Sequence, residues 1–189
     1  MARYWEGKLI RLRGVEPTDV DGHYEVDQED DISRFQWVMN PPTSRTGTEA
    51  WVQGAAKERP KGHEFTAQME TLEDGKLVGS IATHHSDQRA GVFSYGLHVE
   101  QQFRGNGYAS DAICLILRYF FQELRYQKCN VEAMEVNPGS QRLHEKLGFQ
   151  TEGRRRRVVY TYGKHSDLIE YGMTLEEFRD QHPDYWREE

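Results

Sequence analysis

The stretch from Val92 to Leu124 constrains this chain most, because three local signals follow one another directly. Phe93, Tyr95, Leu97 and Val99 alternate along the sequence, the period of a strand with one buried face. The segment Glu100-Gln101-Gln102-Phe103-Arg104-Gly105-Asn106-Gly107 then turns on glycines. From Ala109 onward, Ala112, Ile113, Ile116, Leu117, Phe120, Phe121 and Leu124 recur at three- and four-residue spacing, which predicts a helix packed on a sheet. A glycine turn between strand and helix lets backbone N–H groups converge, unobstructed by Cβ, on an anion at the positive end of the helix. Such a site suits a diphosphate. Glycine also serves tight strand-to-helix turns for steric reasons alone. The loop lacks the Gly-Lys-Ser/Thr of a P-loop and the third glycine of the dinucleotide fingerprint, which disfavours a nucleoside triphosphate or NAD.

The flanking sequence predicts a mixed α+β order. Lys8 to Arg13 reads as a strand, and Pro17-Thr18-Asp19 as a turn and cap before a helix that reaches about Asp27. Thr46 to Lys57 reads as a helix with Thr46 and Glu49 as a capping pair. His63–Met69, a turn at Glu73-Asp74-Gly75-Lys76, Leu77–Thr83 and Val92–Val99 form an antiparallel meander. Asn130–Val136 reads as a strand, Ser140–Leu147 as a short helix capped by Gly148, and Gln150–Met173 as a terminal hairpin turning at Tyr162-Gly163-Lys164. Nothing marks a domain boundary, so one domain over residues 1–189 is expected.

Composition narrows the function classes. The chain is 37% hydrophobic and 29% charged with 12% aromatic residues, which excludes a disordered profile. A formal net charge of −7 argues against a broad nucleic-acid surface and favours a cationic substrate. There is no apolar leader and no run of about 18 apolar residues for a membrane span, so a cytoplasmic protein without a membrane partner is expected. Cys114 and Cys129 are expected to be buried free thiols.

Two ordered motifs carry a family resemblance. Gln102-x-x-Gly105-x-Gly107 followed by Tyr108-Ala109 resembles the coenzyme A signature Gln/Arg-x-x-Gly-x-Gly/Ala of GCN5-related N-acetyltransferases. Asn137-Pro138-Gly139-Ser140 leading to Glu145-Lys146-Leu147-Gly148-Phe149 resembles that family's Asn-x-x-Ser-x-x-x-x-Glu-Lys-Leu-Gly-Phe segment. Ile10-Arg11-Leu12-Arg13, Gly153-Arg154-Arg155-Arg156 and Tyr162 to Asp167 resemble the ribosomal-protein-alanine and spermidine acetyltransferase branch. The resemblance extends over about residues 8–178. It implies a mostly antiparallel, V-splayed sheet of about seven strands flanked by helices. It further implies an N-acetyltransferase that moves an acetyl group from acetyl-CoA directly to a primary amine, such as a protein amino terminus, a polyamine or another small amine. Backbone groups near Leu97 and Val99 would hold the pantetheine arm. Gln102 and the amides of Arg104, Gly105, Asn106, Gly107, Tyr108 and Ala109 would hold the diphosphate. Asn137 and Ser140 would line the thioester end. Relatives are often dimers, so a homodimer is an expectation that comes from the resemblance alone.

Acyl transfer to an amine needs a neutral nucleophile, a polarised carbonyl and a proton for the departing thiolate. Glu132 and His144 are twelve residues apart, the separation at which relatives that acetylate protein amino termini carry a glutamate base and a tyrosine acid. A histidine near its ordinary pKa of about 6.5 can serve as an acid. Ser140 lies one helical turn before His144 and is a second acid candidate as well as a natural N-cap. Many relatives carry a glutamate where this chain has Ser94, so a coenzyme A-binding module without catalysis is the alternative.

Three other signals read as structural. His84 and His85 are neighbours on a strand and are expected on opposite faces, so with Asp87 they do not make a metal site. Arg154 to Arg157 is expected to salt-bridge across the hairpin. The acidic stretch Asp27-Gln28-Glu29-Asp30-Asp31 reads as a solvated loop; it falls in the helical region that borders the acceptor cleft in relatives, where attraction of an amine is the alternative, and Trp37 and Trp51 nearby either shape an acceptor pocket or simply pack.

Overall fold

A computed structural model describes residues 3–35, 39, 41–60 and 62–186. The elements run in the order β1 (Ile10–Arg13), α1 (Val20–Asp27), α2 (Asp30–Phe35), α3 (Arg45–Ala55), β2 (Thr66–Thr71), β3 (Leu77–Asp87) and β4 (Val92–Val99). They continue with α4 (Tyr108–Arg118), β5 (Lys128–Met134), α5 (Pro138–Lys146), β6 (Gln150–Thr161), β7 (Lys164–Thr174) and α6 (Leu175–Gln181). A seven-stranded sheet has the order β1-β2-β3-β4-β5-β7-β6. The pairs β1–β2, β2–β3, β5–β7 and β6–β7 are antiparallel. The parallel pair β4–β5 meets at only two positions, Val92 with Lys128 and Phe93 with Cys129.

The chain clusters into two compact units, Met1–Ala82 with Leu97–Ala112 and Thr83–Gly96 with Ile113–Glu189. In the first unit the buried carboxylate of Asp111 accepts the amides of Lys8 (3.0 Å), Leu9 (2.6 Å) and Ile10 (2.9 Å), tying the entry to β1 against the first turn of α4. The contact demands glycine at position 7, where an added Cβ would lie 2.2 Å from Asp111 Oδ1. Arg13 and Asp19 form two hydrogen bonds of 2.8 Å, and Arg13 also pairs with Glu70.

The core of the second unit explains a departure from the predicted helix. The α-helical period ends at Arg118, and Tyr119–Glu123 widen into a π turn in which Leu124 N–H reaches Tyr119 O at 3.3 Å. Both Phe120 and Phe121 are buried there. Phe93 stacks on Phe120 at 3.8 Å and meets Phe121 edge-on at 5.9 Å.

Several other expectations shift in detail. The N-cap of α3 is Ser44, whose side chain accepts Gly47 N–H at 3.1 Å, rather than Thr46. The terminal hairpin turns at Tyr162 and Gly163 as predicted, with φ of 51° and 72°, the left-handed pair a two-residue hairpin loop requires. The adjacent histidines are a correction. His85 has a φ of 52°, which breaks strand alternation, and the rings of His84 and His85 come together at 4.7 Å in a T-shaped contact. Among the described residues no group of three or more His, Cys, Asp or Glu side chains is arranged to hold a metal ion. No described helix is long and apolar enough to cross a membrane. Cys114 and Cys129 are buried and form no disulfide. Arg154 pairs with Asp167 and Arg155 with Glu170 across the hairpin, as expected of the basic run, and the two also reach Glu135 and Glu132 at and just beyond the end of β5.

Candidate active site

The glycine loop sits exposed in the first unit, between β4 and α4. Gly105 and Gly107 have φ of 84° and 88°, a region L side chains rarely enter. A Cβ on Gly105 would meet nothing within 4 Å, while one on Gly107 would lie 3.1 Å from Leu9 Cδ1. The first turn of α4 is closed by Asp111 N–H to Gly107 O at 3.1 Å. The amides of Gly107, Tyr108, Ala109 and Ser110 therefore precede the first intrahelical bond, the donors an α-helix leaves without a helical partner.

The side chains of the loop turn back on the protein. Arg104 donates through Nε to Val99 O at 3.0 Å and through Nη2 to Glu29 Oε2 at 3.4 Å. Asn106 Nδ2 donates to Phe103 O at 3.1 Å, and Gln102 Nε2 donates to Glu100 Oε2 at 3.2 Å. Burial raises the Glu100 carboxyl above its ordinary pKa, the Gln102 hydrogen bond opposes the rise, and the nearby charges of Glu25 and Glu29 add to it. The guanidinium of the loop is thus turned toward Val99 and Glu29. Glu29, in the acidic stretch, anchors the loop from outside by accepting Gln101 N–H at 3.3 Å as well. The donor set and the open space over Gly105 fit the diphosphate of coenzyme A.

The end of β4 presents different chemistry on its two faces. Leu97 and Val99 share one face by alternation, and His98 points the other way. His98 lines a cavity of about 390 Å³ together with His23, Val26 and Asp27 of α1, Thr43, Gly47, Thr48 and Trp51 at α3, and Ser80 of β3. Ser80 Oγ lies 3.2 Å from His98 Nδ1. Burial, then the charges of His23 and Arg104, pushes His98 down to about 4, so the ring is neutral at pH 7. Asp27 Oδ2 accepts the Thr48 hydroxyl at 2.6 Å, and Trp51 is exposed and packs edge-on to His23 at 4.9 Å. Trp37 lies outside the described residues.

The second unit holds Asn137, Ser140 and His144. Asn137 caps α5 by accepting Ser140 N–H at 3.0 Å, so the N-cap role falls to Asn137 and Ser140 is the third helical residue. His144 is buried. Its Nδ1–H donates to the Ser140 carbonyl at 2.8 Å, which leaves Nε2 to accept the Tyr95 hydroxyl at 3.0 Å. Burial lowers His144 to about 4, only partly opposed by the Ser140 carbonyl. Burial also raises Tyr95 well above the ordinary phenol value. With both ring nitrogens engaged and no charge near neutrality, His144 is placed as a brace between α5 and β4 rather than as an acid.

The expected pairing of Glu132 with His144 does not form. On β5, Val131 stands opposite Tyr171 and Glu132 opposite Glu170. His144 stacks on Tyr171 at 5.8 Å, on the Val131 face. Glu132 lies on the other face, exposed and ion-paired to Arg155. Strand alternation separates two residues whose sequence spacing suggested a pair. Tyr95, Asp111 and His98 escaped sequence reasoning as site-building residues, and Glu29, read there as part of the acidic stretch, anchors the loop. Tyr95 and His98 stood inside a recognised strand, but their hydrogen-bond partners come from distant segments.

Comparisons with known proteins bear on the family and the fold. A family profile described as "Acetyltransferase (GNAT) domain" matches residues 10–150. The SPbeta prophage-derived uncharacterized N-acetyltransferase YokL of Bacillus subtilis is 38% identical over 95% of this chain and 97% of its own length. The putative ribosomal N-acetyltransferase YdaF of the same organism is 26% identical over 91% of this chain and 94% of its own. The spermidine N-acetyltransferase from Vibrio cholerae, solved in complex with CoA and spermine, superposes with a TM-score of 0.74 at 18% identity, over 89% of this chain and 97% of that one, a likeness of fold. This chain belongs to the GNAT family of N-acetyltransferases, enzymes that move an acetyl group from acetyl-CoA to an amine.

Proposed function

We propose that this chain acetylates a cationic primary amine, a polyamine or a protein amino terminus, by direct transfer without an acyl-enzyme. The observation that carries direct transfer is the state of the two thiols. Cys129 is buried, and burial pushes its thiol well above the ordinary range. Cys114 is buried 3.9 Å from His182 Nδ1. His182 Nε2–H in turn donates to Leu147 O at 2.8 Å. Both thiols are buried, and Cys129 in particular lacks the setting that makes a thiolate nucleophile. A cationic acceptor is supported by the net charge of −7 and by the acidic residues Asp27 and Glu29 at α1.

In this reading the amides of Arg104 to Ala109 hold the diphosphate, and the backbone at Leu97 and Val99 guides the pantetheine arm. Asn137 and Ser140 serve the thioester end, with the half-buried Ser140 hydroxyl as proton donor to the leaving sulfur. When bound, acetyl-CoA supplies an acetyl group activated as a thioester. His144 keeps Ser140 in place through its carbonyl, and Glu132 acts in the surface ion-pair ladder, outside the reaction.

The test is turnover. Thiol release from acetyl-CoA is followed with spermidine and with a peptide bearing a free α-amine as acceptors, and acetylation of at least one is expected. Gly107→Asp puts a carboxylate on a left-handed backbone where the diphosphate would lie. It is expected to abolish acetyl-CoA binding in calorimetry, while Gly105→Ala, with similar backbone strain but no charge, weakens it less. Equal binding by Gly107→Asp and the parent protein would remove the loop from the cofactor site.

A further inference from the structure

The cavity beneath α1 and α3 combines an open, aromatic and acidic rim with a polar floor. Trp51 and Asp27 are exposed at the rim. The floor spans two strands, where Ser80 on β3 bonds His98 on β4. Among the described residues the buried Nε2 of His23, a residue that lines the cavity, has no partner, so a polar occupant that reached it would satisfy an orphaned group.

We propose that this cavity seats the amine end of the acceptor and that His98, through Nε2, takes the proton the amine nitrogen gives up. The inference deepens the acetyl-transfer reading and rests on it. The reaction forms the N–C bond of the amide, breaks the C–S bond of the thioester, moves one proton to sulfur and sheds the ammonium's extra proton to water. Nitrogen must therefore lose two protons, and a neutral acceptor at the nitrogen is required.

His98 meets that requirement where the other candidates do not. His144 has both ring nitrogens engaged. Glu132 is paired with Arg155. Among the described residues His98 has only Nδ1 engaged, so Ser80 can accept Nδ1–H and set the tautomer that leaves Nε2 as a base. Its side chain also projects from between Leu97 and Val99, the two residues assigned to the pantetheine arm. A proton acceptor at this position lies on the strand that guides the donor. The titratable and charged groups that face His98 are His23 and Asp27 of α1 and Arg104 of the loop. The lining residues of β3 and α3, Ser80, Thr48 and Trp51, do not titrate in the working range. Asp27 at the rim pairs with the arriving ammonium.

The full-length protein is assayed with whichever of spermidine and the free-amine peptide it acetylates. His98→Gln is expected to lower kcat on the order of 100-fold at neutral pH, with the KM for acetyl-CoA unchanged. The deficit should shrink as the pH rises and the acceptor reaches the enzyme already deprotonated, a response a packing defect would not give. Asp27→Asn keeps the Thr48 acceptor and is expected to raise only the KM for the amine, by about tenfold, the equivalent of about 1.4 kcal/mol. Ser80→Ala releases Nδ1 without touching the ring, and a loss of about tenfold in kcat is expected if His98→Gln fails to fold. The proposal is overturned if His98→Gln or its Ser80→Ala substitute keeps the parental rate at every pH, or if His23→Gln loses more rate than His98→Gln. If the parent protein acetylates neither amine, the acetyl-transfer reading itself fails, which is a different result.

Discussion

His144 shows how much a single side chain's environment decides. In the sequence it occupies the place of a catalytic acid, yet the folded chain buries it, engages both nitrogens and lowers it to about 4. Between about pH 4 and the ordinary histidine value of about 6.5 the unfolded chain binds a proton there that the folded chain refuses. Stability from this group is therefore complete above about pH 6.5 and is lost as the pH falls toward 4, at roughly 1.4 kcal/mol per pH unit. Urea unfolding measured at pH 7.5 and pH 5 should show His144→Gln losing less stability on acidification than the parent protein. An identical pH dependence in the two would mean that His144 titrates normally and is not the brace described. The same scale separates His98, whose second ring nitrogen stays available, from His144, whose ring is closed off.

Among the elements, α4 carries the most obligations. Its first turn supplies unpaired amides to the loop, and Asp111 in that turn accepts three amides from the entry to β1. Asp111→Asn would replace one acceptor oxygen with an NH₂ facing backbone donors. Destabilisation of about 2–4 kcal/mol is expected, read from the shift in denaturant midpoint at unchanged slope. A shift below about 0.5 kcal/mol would mean that the Lys8-to-Ile10 segment finds other partners. At the far end of α4 the π turn carries Phe120 and Phe121, both buried against Phe93. Periodicity located the helix but not the point where it stopped being α. The terminal α6 escaped the sequence reading although its capping box, Thr174 with Glu177, is a legible start signal. The strand-like run before it masked that signal.

For the whole molecule, charge is the property that composition settles. A net charge of −7 and an acidic rim draw a cation by long-range attraction as well as by contact. Raising ionic strength from about 0.1 M to about 1 M shortens the screening length from about 10 Å to about 3 Å. The KM for a cationic acceptor should rise several-fold over that range, with little change in kcat. Insensitivity to salt would point to an uncharged acceptor. The sheet keeps chain order from β1 to β5, and the helices that pack on it come from segments tens of residues away, so the cavity residues are scattered in sequence. Residues as distant as Asp27, Ser80 and His98 line one cavity because strand order and helix packing, not proximity in the chain, set their neighbours.

What the sequence determined by itself was local and periodic: the strand-loop-helix unit with its two glycines, the amphipathic phase of α4, the Asn137 turn, the Tyr162-Gly163 hairpin and the donor those motifs signify. Each rests on short-range backbone geometry, which residues a few positions apart specify together. The tertiary structure alone decided which polar side chains meet. It put Glu132 and His144 on opposite faces of β5, closed His144 with Tyr95, and left His98 with a free nitrogen beside an acidic rim. Those outcomes depend on strand register and on burial, and both arise from contacts between segments tens of residues apart, which no local pattern encodes.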